Sequence, residues 1–138
     1  MTERPWLRSS AWLLAAGSIV HGADHFRRGW SSITVEVWLL GSVGSLLTIL
    51  SVVAVLRGHR RAPELAAAVG LSLAAGFVAV HWLPGWGVLS DSLVDGDAAG
   101  FSMFASLLEI AGGLALGLAG LYAWHAAGRT PASLGGPS

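Results

Sequence analysis

The sequence predicts an all-α integral membrane protein, an up-down bundle of four transmembrane helices with both termini cytoplasmic. Three observations carry this expectation. The 138-residue chain is 54% hydrophobic and only 12% charged, with a mean hydropathy of +0.64; a soluble domain carries about twice that share of charge. Its apolar residues gather in runs of about 20, the length a helix needs to cross the hydrocarbon layer. Its arginines cluster on one side of those runs, which orients them.

The first span is expected from about Ser9 to Arg28. It is the weakest by hydropathy, because His21, Asp24 and His25 follow the apolar stretch Ala11–Val20. A cleavable leader is the rival reading, since Arg4 and Arg8 precede a short apolar stretch. The residues after Val20, His-Gly-Ala-Asp, make a poor small-x-small cleavage site, so a retained helix is favoured. The second span is expected from about Ile33 to Leu56, the third from Pro63 to Leu83 and the fourth from Phe101 to Trp124. Residues 1–127 would form one membrane domain, and 128–138, rich in Pro, Gly and Ser, a disordered tail.

With four spans, Arg4, Arg8, Arg57, Arg60, Arg61 and Arg129 fall on one side, and only Arg27 and Arg28 on the other. The positive-inside rule places the first set in the cytoplasm and the chain in the plasma membrane as a multi-pass protein. Trp30, Trp38, Trp82 and Trp86 would ring the outer interface, and Trp6, Trp12 and Trp124 the inner one. The third loop, Pro84 to Gly100, carries Trp86, Val88, Leu89, Leu93 and Val94, and is expected to lie on the membrane surface as an amphipathic cap. Asp95 and Asp97 would solvate it and cap the fourth helix.

Small residues mark helix contacts: Gly41, Gly44 and Ser45 on span two, Gly70 and Ala74 on span three, Gly113 and Gly117 on span four, with Gly112 and Gly120 nearby. Such residues let helix backbones approach closely in lipid, and the same faces can pair two copies of the chain. The lipid bilayer is thus the expected partner. No basic tract points to nucleic acid. The absence of cysteine excludes disulfides, thiolate metal sites and cysteine nucleophiles.

Chemistry is expected where ionisable groups enter the hydrocarbon, since a charged residue at the helix centre costs roughly 2.5–3.5 kcal/mol there and such groups face the interior and find partners. Six qualify: His21, Asp24, His25, Glu36, His81 and Glu109, all in the outer halves of their spans. At about 1.5 Å per residue, His21 and Glu109 match in depth, roughly 10–12 Å below the outer end. His25, His81 and Glu36 lie about 5–7 Å higher. His21 and His25, four apart, share a helix face.

Three imidazoles and a carboxylate converging from several helices suit zinc, copper, iron or manganese. His21, His25, His81 and Glu109 are the expected ligands, with Asp24 and Glu36 as orienting groups or alternative ligands. Haem held by His25 and His81 is a variant. The bland readings are specific: Asp24 paired with Arg27 or Arg28, Glu36 placed in a first helical turn by the helix dipole, and Glu109 a protonated, hydrogen-bonded acid. His59 and His125 read as structural, and the paired Glu-x-x-His motif of di-metal bundles is absent. The functional expectation is a metal-binding membrane protein whose site opens outward, for metal handling or metal-dependent redox chemistry. The alternatives are a proton- or cation-translocating protein, or an accessory subunit whose polar network holds no metal.

Overall fold

The computed structural model describes residues 5–95 and 100–128, with the side chain of Trp30 set aside. Four long helices account for most of them, and no strand occurs among the described residues. They are α1 (Pro5–Arg28), α2 (Val35–Leu56), α3 (Ala62–Phe77, continued by a π-helical turn over Val78–Trp82) and α4 (Gly100–Gly128). Three segments, Val35–Leu56, Ala62–Trp82 and Gly100–Ala127, are long and apolar enough to cross a membrane. The polar last two turns of α1, from His21 to Arg28, set it apart from those three.

Local chemistry explains the boundaries. Thr34 caps α2, its hydroxyl oxygen accepting the Val37 N–H at 3.2 Å. Gly58, at φ 65°, ends the helix: its N–H bonds to Val55 O and that of His59 to Ala54 O. This is the paired closure that a left-handed residue after a helix makes possible. Pro63 opens α3, where its missing N–H costs nothing. Pro84 forces Leu83 into extended backbone and stops the helix. α4 runs past the expected end at Trp124 to Gly128, so Gly128 is helical and not part of a tail. The rest of the expected tail, with Arg4, Asp97 and Arg129, lies outside the described residues.

The bundle is organised around α4. Built onto Gly17, a Cβ would meet Glu109 Cα at 2.8 Å, and on Gly112 it would meet Leu14 Cα at 2.7 Å. On Gly70 it would meet Gly117 N at 2.5 Å, and Gly120 is closed by Ala67 in the same way. α4 therefore runs antiparallel to both α1 and α3 at backbone contact, the close approach that small residues permit. α2 completes the ring against α1 and α3. Its own glycines do little of this: Gly41 has nothing within 4 Å and Gly44 meets only a Leu73 methyl. The expected small-residue face of α2 is thus not a close helix contact, and its exposed Leu39, Leu46 and Ile49 form an apolar outer surface.

The third loop keeps Trp86, Val88 and Val94 exposed, as a surface cap would, but also folds back on the bundle. Leu93 is buried, and the N–H groups of Asp91 and Leu93 donate to Val80 O and His81 O at 3.0 and 2.9 Å. The loop thereby satisfies carbonyls that the π-helical turn leaves without helical partners. Asp95, expected to cap α4, instead accepts the Gly85 N–H and ties the loop's ends together. Trp82 is drawn from the expected interfacial belt into a helix contact, its indole N–H donating to Ser106 Oγ at 2.9 Å. Arg8, Arg57, Arg60 and Arg61 stand at one end of the bundle, and Arg27, Arg28 and Asp91 at the other.

The α3–α4 contact makes a direct forecast. Gly70→Ala should destabilise the protein by roughly 1–3 kcal/mol, because its methyl meets backbone that cannot yield. Gly41→Ala should be neutral, or stabilising by up to about 1 kcal/mol. Thermal unfolding of both variants in detergent checks the contrast.

Candidate metal centre

At the Arg28 end of the bundle, α1 and α3 bring three imidazoles together. His21 and His25 lie one turn apart on the same face of α1. The π-helical turn carries His81 opposite them. One ring nitrogen from each lies within 4.8 Å of those of the other two. Ring centroids are 4.6 Å apart for His21–His25, 4.9 Å for His21–His81 and 6.1 Å for His25–His81. Phe77, one turn before His81, stacks on its ring at 5.5 Å and meets the His21 ring edge-on at 5.0 Å, walling the cluster on its apolar side. Single-turn π-bulges recur at functional sites because the extra residue re-aims the side chains that follow.

The three rings differ in their partners. His81, 3% exposed, places Nδ1 2.9 Å from the backbone oxygen of Asp91. A carbonyl only accepts, so Nδ1 carries the proton and Nε2 keeps its lone pair; metal-binding histidines are commonly oriented this way. His25, half-buried, has Nδ1 3.0 Å from Arg28 Nη2. His21, 6% exposed, has no hydrogen-bond partner on either nitrogen among the described residues. An imidazole buried with both nitrogens unpaired costs free energy unless something completes its bonding.

Electrostatics around the rings are held by three ion pairs among two arginines and two aspartates. Arg28 grips Asp91 through Nη2 at 2.6 Å and Nη1 at 3.1 Å, and its Nε lies 3.2 Å from Asp24 Oδ2. Arg27 holds the other Asp24 oxygen at 2.7 Å and donates to Ser102 on α4. Asp24 is therefore buried and paired with both arginines, through hydrogen bonds from Arg27 and an ion-pair contact with Arg28, as its bland reading had it. Burial alone would raise the Asp91 carboxyl, but hydrogen bonding and attraction to Arg28, helped by His81 and His25, hold it below the usual aspartate value.

Glu109 stands apart from the trio. The antiparallel register sets it against Gly17 and Ser18, about one turn deeper than His21. Its Oε1 accepts the Ser18 hydroxyl at 2.6 Å, and Oε2 has no partner among the described residues. The depth match between His21 and Glu109 fails because Ala105, not Glu109, shares the level of His21 on α4. Glu36 is exposed in the first turn of α2, away from the cluster. Haem spanning His25 and His81 finds no room, because the His21 ring packs against both.

Sequence reasoning missed the roles of Arg28, Asp91 and Ser18. In the sequence Arg28 reads as a topology marker and a partner for Asp24, nothing singles out Asp91, and no local pattern joins residues 63 positions apart. No family model matches the chain, and no curated protein or solved structure is similar to it.

Asp91 gives the site a measurable pH dependence. Its folded-state pKa lies below the unfolded value of about 3.9, so its contribution is present above that pH and is lost as pH falls through the folded-state value. Asp91→Asn should cost on the order of 1–3 kcal/mol at neutral pH. The gap between wild type and variant should close as pH falls from about 4 downward. Thermal unfolding against pH in detergent with chelator present tests this.

Proposed function

We propose that the chain is a four-span membrane protein that binds one transition-metal ion through His21, His25 and His81 near its extracytoplasmic side. The observation that carries this reading is the trio itself: three imidazoles from two helices, with the deepest, His21, having no hydrogen-bond partner among the described residues. Metal–nitrogen bonds of about 2.0–2.1 Å at tetrahedral angles need nitrogens roughly 3.4 Å apart, so binding draws the rings inward by about 1 Å. Side-chain rotation suffices for such a shift. Three protein ligands leave a fourth position for water or a substrate, the pattern of reactive rather than purely structural sites. Imidazole donors suit zinc, copper, iron and nickel, and the absence of carboxylate from the trio weighs against manganese.

Glu109 takes a different role in this reading. Its bond to Ser18 joins α4 to α1 below the site, as Trp82–Ser106 joins α3 to α4 beside it. These contacts favour a structural part for the deeper polar groups, the one element retained from the accessory-subunit alternative.

Two measurements test the proposal. The orientation predicts that thiol-directed label added from outside reaches a Val88→Cys variant, since Val88 is exposed and the protein has no other cysteine. Labelling only from the cytoplasmic side would contradict it. Elemental analysis of protein purified without chelator or His-tag should find about one transition-metal ion per chain. His21→Ala should remove most of it and Glu109→Gln should not. Equal metal content in wild type and His21→Ala would reject the site.

A further inference from the structure

Among the groups around the trio, Arg28 is the one whose geometry conflicts with metal binding. Its Nη2 sits 3.0 Å from His25 Nδ1. A guanidinium only donates, so the Nδ1 lone pair is engaged and the neutral ring carries its proton on Nε2. Neither nitrogen of His25 is then available to an ion. His81 has its Nε2 lone pair free, and His21 has both nitrogens unengaged. Two ligands stand ready and the third is held.

We propose that Arg28 is a latch on the metal site, holding His25 until an ion draws that ring away. The inference rests on the metal-binding reading and assigns it an entry step. His25 is the half-buried ring of the three, so an arriving ion meets it first. Arg28 itself is only 18% exposed and lies against His25. Opening is inexpensive because Arg28 does not depend on His25 for its pairing: Asp91 takes two of its nitrogens and Asp24 lies beside Nε. His25 turns away from Arg28 and offers its freed Nδ1 lone pair to the ion with its proton still on Nε2, while Arg28 keeps both carboxylates. Asp91 links the latch to the site from the other side, because its backbone oxygen orients His81 while its carboxylate grips Arg28. Loop three therefore anchors one ligand directly and controls a second through Arg28.

The sign of a substitution distinguishes a latch from a scaffold. Arg28→Gln removes the guanidinium that occupies Nδ1, and so should tighten binding of Co²⁺ to the full chain in detergent. Co²⁺ uptake is followed by its visible absorption. A gain of roughly tenfold or more is expected, since a nearby cation is also removed. Loss of that charge alone would help in any background, so the decisive comparison is made on His25→Ala. There the gain from Arg28→Gln should shrink to about twofold or less, because residues that act through one another are not additive.

Nitrogen-15 spectra of the histidine rings give a second readout that does not need the variant to fold. With chelator present, His25 of the wild-type chain should be the Nε2–H tautomer and His81 the Nδ1–H tautomer. Finding His25 as Nδ1–H overturns the latch. So does Co²⁺ uptake that is unchanged or weaker in a folded Arg28→Gln variant, or a gain of the same size on His25→Ala. Failure of both wild type and Arg28→Gln to take up Co²⁺ overturns the metal reading itself, while the tautomer result still reports on the Arg28–His25 contact.

Discussion

Backbone contact between α4 and its two neighbours sets the register on which the rest of the molecule depends. Gly17 and Gly112 close the α1–α4 seam, and Gly70, Gly117 and Gly120 close the α3–α4 seam. Close packing of this kind tolerates little slippage, since a Cβ added at Gly17, Gly70, Gly112 or Gly120 meets backbone, and one at Gly117 meets both the side chain and the backbone of Leu71. The register then decides which polar groups meet. It sets Ala105 at the level of His21, Ser18 against Glu109, and Ser106 within reach of Trp82.

Polar groups in the bundle separate into two kinds. Most are satisfied: Arg27, Arg28, Asp24 and Asp91 form a neutral set of ion pairs, and Ser102 and Ser106 accept from neighbouring helices. Full pairing is what makes charges tolerable in an apolar setting. Among the described residues near this end, both nitrogens of His21, the Ser90 hydroxyl and one oxygen of Glu109 have no hydrogen-bond partner, and Asp24 Oδ2 and Arg28 Nε meet only each other as an ion pair at 3.2 Å. The unpaired His21 is central to the functional reading, because it lies between two other imidazoles, whereas Glu109 already has the Ser18 hydroxyl.

Much of this was legible in the sequence, for identifiable reasons. Apolar runs of helical length revealed the helices, and Pro63 and Pro84 marked the ends of the third. The i, i+4 spacing of His21 and His25 put both on one face of their helix, and the structure brings His81 to that face. Depth was harder. Counting residues from assumed membrane boundaries placed Glu109 level with His21, and the observed register moved it down a turn. The glycines of span two looked like those of span four, because composition does not reveal which face has a neighbour. Loop three was legible only in part: its apolar residues suggested a surface cap, but it also closes the carbonyls of a π-helical turn that no sequence period announces. Asp91 reaches His81 and Arg28 only because that loop folds back.

The chemistry proposed for the trio can be read directly from the coordination of whatever ion the protein holds. X-ray absorption at the edge of the co-purified metal measures ligand type, number and distance without any substitution. The account predicts about three imidazole nitrogens at roughly 2.0–2.1 Å, with one further light-atom ligand. A metal shell lacking the outer scattering of imidazole rings would contradict it.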